Sequence, residues 1–81
     1  MTVNDWKQKF SIKVNELMRN NNMTQSQLAK STGISKGRLS EYLSMKAMPT
    51  IFAVINIACV LDVSVSSITD FGERIDQGEV K

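Results

Sequence analysis

The sequence predicts an all-α protein, five short helices packed as one compact domain, and three observations carry that prediction. Apolar residues recur at spacings of three and four rather than two. Ser, Thr and Asn, the residues that cap helices, stand just ahead of the apolar runs. The 81 residues, 42% of them hydrophobic, leave room for one modest core and no second domain.

The elements follow in order. Asn4 is placed to cap a first helix beginning at Asp5, an acid favourably set in the first turn. Trp6, Phe10, Val14, Leu17 and Met18 form its apolar stripe, with Ile12 off it. Asn20, Asn21 and Asn22 end it, because Asn tolerates left-handed backbone. Thr24-Gln25-Ser26-Gln27 is a capping box that opens a second helix carrying Leu28 and Ala29. Gly33 stops that helix with positive φ. Ser35 caps a third helix through about Leu43, with Leu39, Tyr42 and Leu43 for the core. After the loop Met45 to Pro49, Thr50 starts a fourth helix over Ile51–Leu61, whose length decides against a strand. Asp62 ends it, Ser64 caps a short fifth helix with Val65 and Ile68, and Phe71-Gly72 closes the domain. Residues 1–72 are thus one domain, and 73–81, alternating in charge, a frayed tail.

Composition narrows the function. The chain has no histidine, which removes His-based triads, His general bases and His-containing metal sites together. A single cysteine excludes an intrachain disulfide and any CxxC zinc or redox motif. With no nucleophile motif and no phosphate-cradling glycine loop, neither enzyme, cofactor nor metal site is expected. Met1 to Lys7 hold no apolar run of the signal-peptide kind. The eleven residues of Ile51–Leu61 are about half of the roughly 20 needed to span a bilayer. That segment reads as a buried core helix, and the protein as cytoplasmic, with Cys59 a buried small hydrophobe kept reduced. The net charge of +2 conceals a division. Residues 1–46 carry eight Lys/Arg against three Asp/Glu, and 47–81 carry two against five. A basic front and an acidic back make a sided surface.

The segment from Gln25 to Ser44 is the informative one. Two short helices joined by a tight turn cross closely at a steep angle. Close crossing needs a small residue on the first helix, which Ala29 supplies, and the turn four residues on needs positive φ, which Gly33 supplies. Leu28, Ile34, Leu39 and Tyr42 hold the pair together. An ordinary αα-hairpin would satisfy the same packing but would not account for the net +5 on the same half of the chain.

From Met23-Thr24-Gln25-Ser26-Gln27-Leu28-Ala29-Lys30-Ser31-Thr32-Gly33-Ile34-Ser35 through Leu39-Ser40-Glu41-Tyr42-Leu43, the sequence resembles the lambda-repressor-like, Cro/CI-type (XRE) helix-turn-helix proteins. The likeness continues from Pro49-Thr50 to Leu61-Asp62-Val63-Ser64-Val65 and covers roughly Val14 to Phe71. It implies a five-helix DNA-binding domain acting as a homodimer on a palindromic operator of double-stranded DNA. The second helix would cross the phosphate backbone and the start of the third would enter the major groove. Position by position, it implies Gln25 against a phosphate, and Ser35, Lys36, Gly37 and Glu41 facing the groove. Arg38 would lie towards the groove's edge, and Ser44 and Lys46 would meet the backbone. Four residues depart from the family's pattern, Gly37 among them because it lies inside the recognition helix. Met18 and Leu43 stand where many relatives bury an Arg–Glu pair, an exchange that can be neutral or stabilising. Met45 occupies a loop position where Gly is common.

Residue chemistry leaves some roles open. Lys36 can donate to guanine O6 and N7, or stand as a solvated charge. Glu41 can accept from cytosine N4, or pair with Arg38 three residues away. Gly37 either brings the backbone close to a base pair or is tolerated there at a cost of about 1 kcal/mol relative to Ala. Lys7, Lys9 and Lys13 read as a solvated face, and Trp6 and Tyr42 as core. Val65, Ile68 and Phe71 are candidates for a dimer surface, with the core as their alternative. The expected function is a sequence-specific DNA-binding regulator, a small phage or prophage repressor, with no membrane association and no small-molecule effector. The competing reading is an antitoxin or partner-regulated interaction module whose helix-turn-helix is secondary.

Overall fold

Trp6, Phe10, Val14 and Met18 are buried along one side of the first helix, α1 (Val3–Asn20), and Ile12 points to solvent. The computed structural model describes residues 1–72, and the expected tail over 73–81 lies outside them. α1 is followed by α2 (Gln25–Thr32), α3 (Lys36–Leu43), α4 (Ile51–Val60) and α5 (Val65–Thr69), with no strand among the described residues. α1 packs on α3 and α5, α2 on α3 and α4, and α4 on α5. The core between them is apolar throughout, with Phe10, Leu28, Leu39, Ile57 and Ile68 fully enclosed.

The start of α1 differs from expectation. Its cap is Thr2, not Asn4, which already lies inside the helix. Thr2 Oγ1 accepts from the Asp5 N–H at 3.0 Å, and the Asp5 carboxylate accepts from the Thr2 N–H at 3.3 Å. That reciprocal pair is what fixes the first turn. The bonds from the Thr2 backbone and hydroxyl hold the Asp5 carboxyl below its ordinary value. The carboxylate's contribution to this turn is therefore present at neutral pH and is lost as pH falls through that lowered pKa, while the bond to Thr2 Oγ1 remains.

Trp6 and Tyr42 belong to the core. Trp6 stacks on Phe10 with ring centroids 5.1 Å apart and meets the Phe71 ring edge-on at 6.2 Å. Its indole N–H donates to the Thr69 carbonyl at 2.8 Å, which ties α1 to α5. Where the family's buried ion pair would lie, Met18 is buried and Leu43 packs half-buried against the core. The adjacent polar link is Ser11, whose hydroxyl donates to the Leu43 carbonyl.

Two expectations about α4 are corrected. α4 is not buried all round: Ala53, Val54, Ile57 and Ala58 face inward, while Ile51, Phe52, Ile55 and Cys59 are exposed. A core only one layer deep covers one side of a helix, and the described chain supplies no second layer. For the dimer-surface candidates Val65, Ile68 and Phe71, the core is the alternative, and Ile68 takes it. Ile68 is fully enclosed, and Val65 and Phe71 pack half-buried on the core, because five residues of helix present a single apolar side and α1 and α4 take it.

Candidate nucleic-acid interface

The helix-turn-helix is built from α2, a short turn and α3. At the start of α2, Thr24 Oγ1 accepts from the Gln27 N–H at 3.1 Å and Gln27 Oε1 accepts from the Thr24 N–H at 2.8 Å. The capping box leaves the next residue, Gln25, as the first of the helix, half-buried at its N-terminal end. Buried Leu28 and Ala29 face the interior. Gly33 ends the helix at φ +77° with its N–H on the Ala29 carbonyl at 3.0 Å. Thr32 reinforces the turn, donating back to the Leu28 carbonyl at 2.8 Å and accepting from the Ile34 N–H at 3.3 Å.

Ser35 then opens α3, its hydroxyl accepting from the Arg38 N–H at 3.1 Å. Leu39 and Tyr42 anchor the helix from beneath. At about 100° per residue, that anchoring turns Gly37, Ser40, Glu41 and Ser44 outward in a row spaced i, i+3, i+4, i+7. All four are exposed. Lys36 and Arg38, also exposed, flank the row on either side. Arg38 and Glu41 approach to 3.6 Å, so the pairing of Glu41 with its helix neighbour is realised in the free chain. An exposed pair of this kind contributes about 0–1 kcal/mol and is easily given up to another partner.

The loop after α3 is closed by the helix's own carbonyls. Met45 sits at φ +69°, its N–H on the Tyr42 carbonyl at 3.4 Å, and the Lys46 N–H reaches the Glu41 carbonyl at 2.9 Å. This is the αL ending that glycine normally serves, carried here by methionine. The Ser44 hydroxyl donates to the Glu41 carbonyl at 3.4 Å. Lys46, exposed, is thereby fixed beside the end of α3.

The structure thus brings Ser35, Lys36, Gly37, Arg38, Glu41, Ser44 and Lys46 onto one open helix and its following loop, with Gln25 at the entry to α2. Ser40 shares the outward row and was missed, since an uncharged serine gives no signal except its spacing. Among the described residues no three His, Cys, Asp or Glu cluster as a metal site, and no helix is long and apolar enough to cross a membrane.

A family model described as helix-turn-helix matches residues 14–68. Among solved structures, the chain is similar to the SOS-response transcriptional repressor LexA of Eubacterium rectale, with a TM-score of 0.73 and 26% identity. The match covers 95% of this chain and 83% of that one. No curated protein matches.

Proposed function

The chain belongs to the lambda-repressor-like helix-turn-helix family and is a DNA-binding regulator of transcription, not an enzyme; from that premise we propose a sequence-specific repressor of the phage or prophage Cro/CI type, working as a homodimer on a palindromic operator. The observation that carries the reading is the outward row of α3. It is free of apolar bulk, flanked by two cations, and held rigidly from below by Leu39 and Tyr42. A helix presented in this way suits the major groove.

In this reading residues 1–72 are the DNA-binding unit. Lys36 donates to guanine, Gly37 lets the backbone approach a base pair, and Ser40 and Glu41 contact base edges beyond them. Gln25 and Ser35, at helix N-termini, hold phosphates alongside the backbone amides. Arg38, Ser44 and Lys46 bind the flanking phosphates, which position the protein without reading sequence. Repression, rather than activation, is favoured by the likeness to a protein named as a transcriptional repressor.

Selection of binding sites from a random DNA pool tests the proposal. Enriched palindromes with half-sites about one helical turn apart support it, and no enrichment turns the reading to an antitoxin or partner-regulated module. On the selected site, Lys36→Ala should lower discrimination by about 1–3 kcal/mol at one base pair. Lys46→Ala should weaken operator and random DNA alike. Equal losses on both DNAs for Lys36→Ala would remove Lys36 from the base-reading set.

A further inference from the structure

The last carbonyls of a helix have no partner inside it, and at the end of α3 each one is answered. The Ser44 N–H returns to the Ser40 carbonyl at 2.9 Å and the Met45 N–H to that of Tyr42 at 3.4 Å. The Lys46 and Ala47 N–H groups both go to Glu41, at 2.9 and 3.2 Å. With its amides so placed, the loop sends none to the last carbonyl, that of Leu43. The donor there comes from another helix: it is the Ser11 hydroxyl of α1, 32 residues earlier in the chain.

A serine hydroxyl has one proton to give and two lone pairs that accept. Asn15, one turn further along α1, decides where that proton goes. Its side-chain amide donates to the Ser11 carbonyl at 2.9 Å and to Ser11 Oγ at 3.3 Å. An oxygen that accepts from Asn15 keeps its own proton for Leu43, and a hydroxyl polarised in this way is the better donor. Ser11, Asn15 and Leu43 are all half-buried, so a Leu43 carbonyl without its donor would be costly.

What lies beyond Leu43 gives the bond its consequence. Met45, two residues on, holds φ +69°, a backbone that persists in a non-glycine residue only where its surroundings over-determine it. Lys46 follows directly and is exposed. A helix end anchored from α1 keeps the strained turn, and the turn fixes Lys46.

We infer that Ser11 and Asn15 are positioning residues for DNA binding: acting in series on the Leu43 carbonyl, they hold the end of α3 and so set where Lys46 meets the DNA backbone. What Lys46 does there rests on the proposed DNA-binding reading; how it is held does not.

Amide hydrogen exchange of the whole free chain tests the hold without DNA. In Ser11→Ala the Met45 and Lys46 amides should exchange about fivefold faster relative to the Gly33 amide at the end of α2, as expected for one lost hydrogen bond. Ser11→Thr, which keeps a hydroxyl, should restore the ratio. Asn15→Asp, whose carboxylate accepts but cannot donate, should draw the Ser11 proton away and reproduce the faster exchange. Ile68→Val, a core change on α5 that lowers overall stability, should leave the ratio alone. On random duplex DNA over a salt series, Ser11→Ala should flatten the slope of log K by about 0.9 per bound chain, the phosphate otherwise met by Lys46. Adding Lys46→Ala to it should flatten the slope no further. Unchanged exchange in either Ser11→Ala or Asn15→Asp overturns the inference, and so do slope changes that add in full for Ser11→Ala and Lys46→Ala. If Lys46→Ala alone leaves the slope unchanged, the phosphate role of Lys46 fails instead, and the exchange ratio still decides whether Ser11 holds the end of α3.

Discussion

Gly37 lies one residue inside α3, where alanine would hold the helix better by about 1 kcal/mol. Nothing among the described residues asks for glycine there. The position does not have positive φ, and a methyl group added to it would meet no protein atom within 4 Å. A local rule broken without a structural reason points to a functional one, and in the proposed DNA-binding reading the outward row supplies it, since Gly37 opens that row between Lys36 and Arg38. Gly37→Ala should therefore stabilise the protein while harming its function. Thermal unfolding should rise by several degrees, given about 4–8 °C per kcal/mol for a domain of this size. Operator affinity should fall by about tenfold or more, as a methyl displaces the backbone from a base pair at a cost above 1.4 kcal/mol. A variant that is more stable and binds equally well would place Gly37 outside the contact. Glu41 shows how a residue holds two readings: its pair with Arg38 at 3.6 Å is a state of the free chain, and only a change in base preference on Glu41→Gln separates it from a base contact.

Three helices end in the same way. After α1, α3 and α4 the chain turns through one residue of positive φ, at Asn22, Met45 and Asp62. In each case the next N–H returns to a carbonyl five residues back: Met23 to Met18, Lys46 to Glu41, and Val63 to Ala58. Asn and Asp tolerate that backbone, whereas for Met it costs about 1–2 kcal/mol, partly offset by the half-buried Met45 side chain. Met45→Gly should raise stability by up to about 1 kcal/mol, after the greater freedom of glycine in the unfolded chain is allowed for. It should leave DNA binding unchanged, because the turn that fixes Lys46 is preserved; chemical denaturation and a binding titration check the two halves. The existence and order of the helices are legible in the sequence because a cap residue precedes each apolar run, and their bounds fall within a residue or two except at the start of α1. The cap of α1 is Thr2 and not Asn4 because Thr2 has a reciprocating acid three residues on, whereas Asn4 has Lys7 in that place, so only Thr2 can complete a capping box. The inward face of α4 was not legible at all. A helix apolar all round has no periodicity to say which side meets the core, and Cys59 and Phe52 look as buried in sequence as Ile57 does. The same loss of contrast leaves the exposed side of α4 unmarked in the sequence.

Across the whole molecule, charge and apolar surface are kept apart. Every Lys and Arg among the described residues lies within 1–46, on α1 to α3 and the loop after them, and α4 carries none. The faint net charge of +2 therefore understates what a DNA backbone would meet. In the proposed homodimer, two copies would put two sets of cations on one duplex. This arrangement makes the salt dependence of binding a report on stoichiometry as well as on contacts. Each phosphate neutralised contributes about −0.9 to the slope of log K against log salt. If each chain places one Lys46 on a phosphate, Lys46→Ala should make that slope shallower by about 2 on the full operator and about 1 on a half-site. Lys9→Ala on the exposed face of α1 should leave both slopes unchanged, as diffuse charge outside the contact does. Titrations from low to physiological salt separate the cases. A change of about 1 on both DNAs would mean that a single chain carries the binding, and no change on either would take Lys46 away from the phosphates.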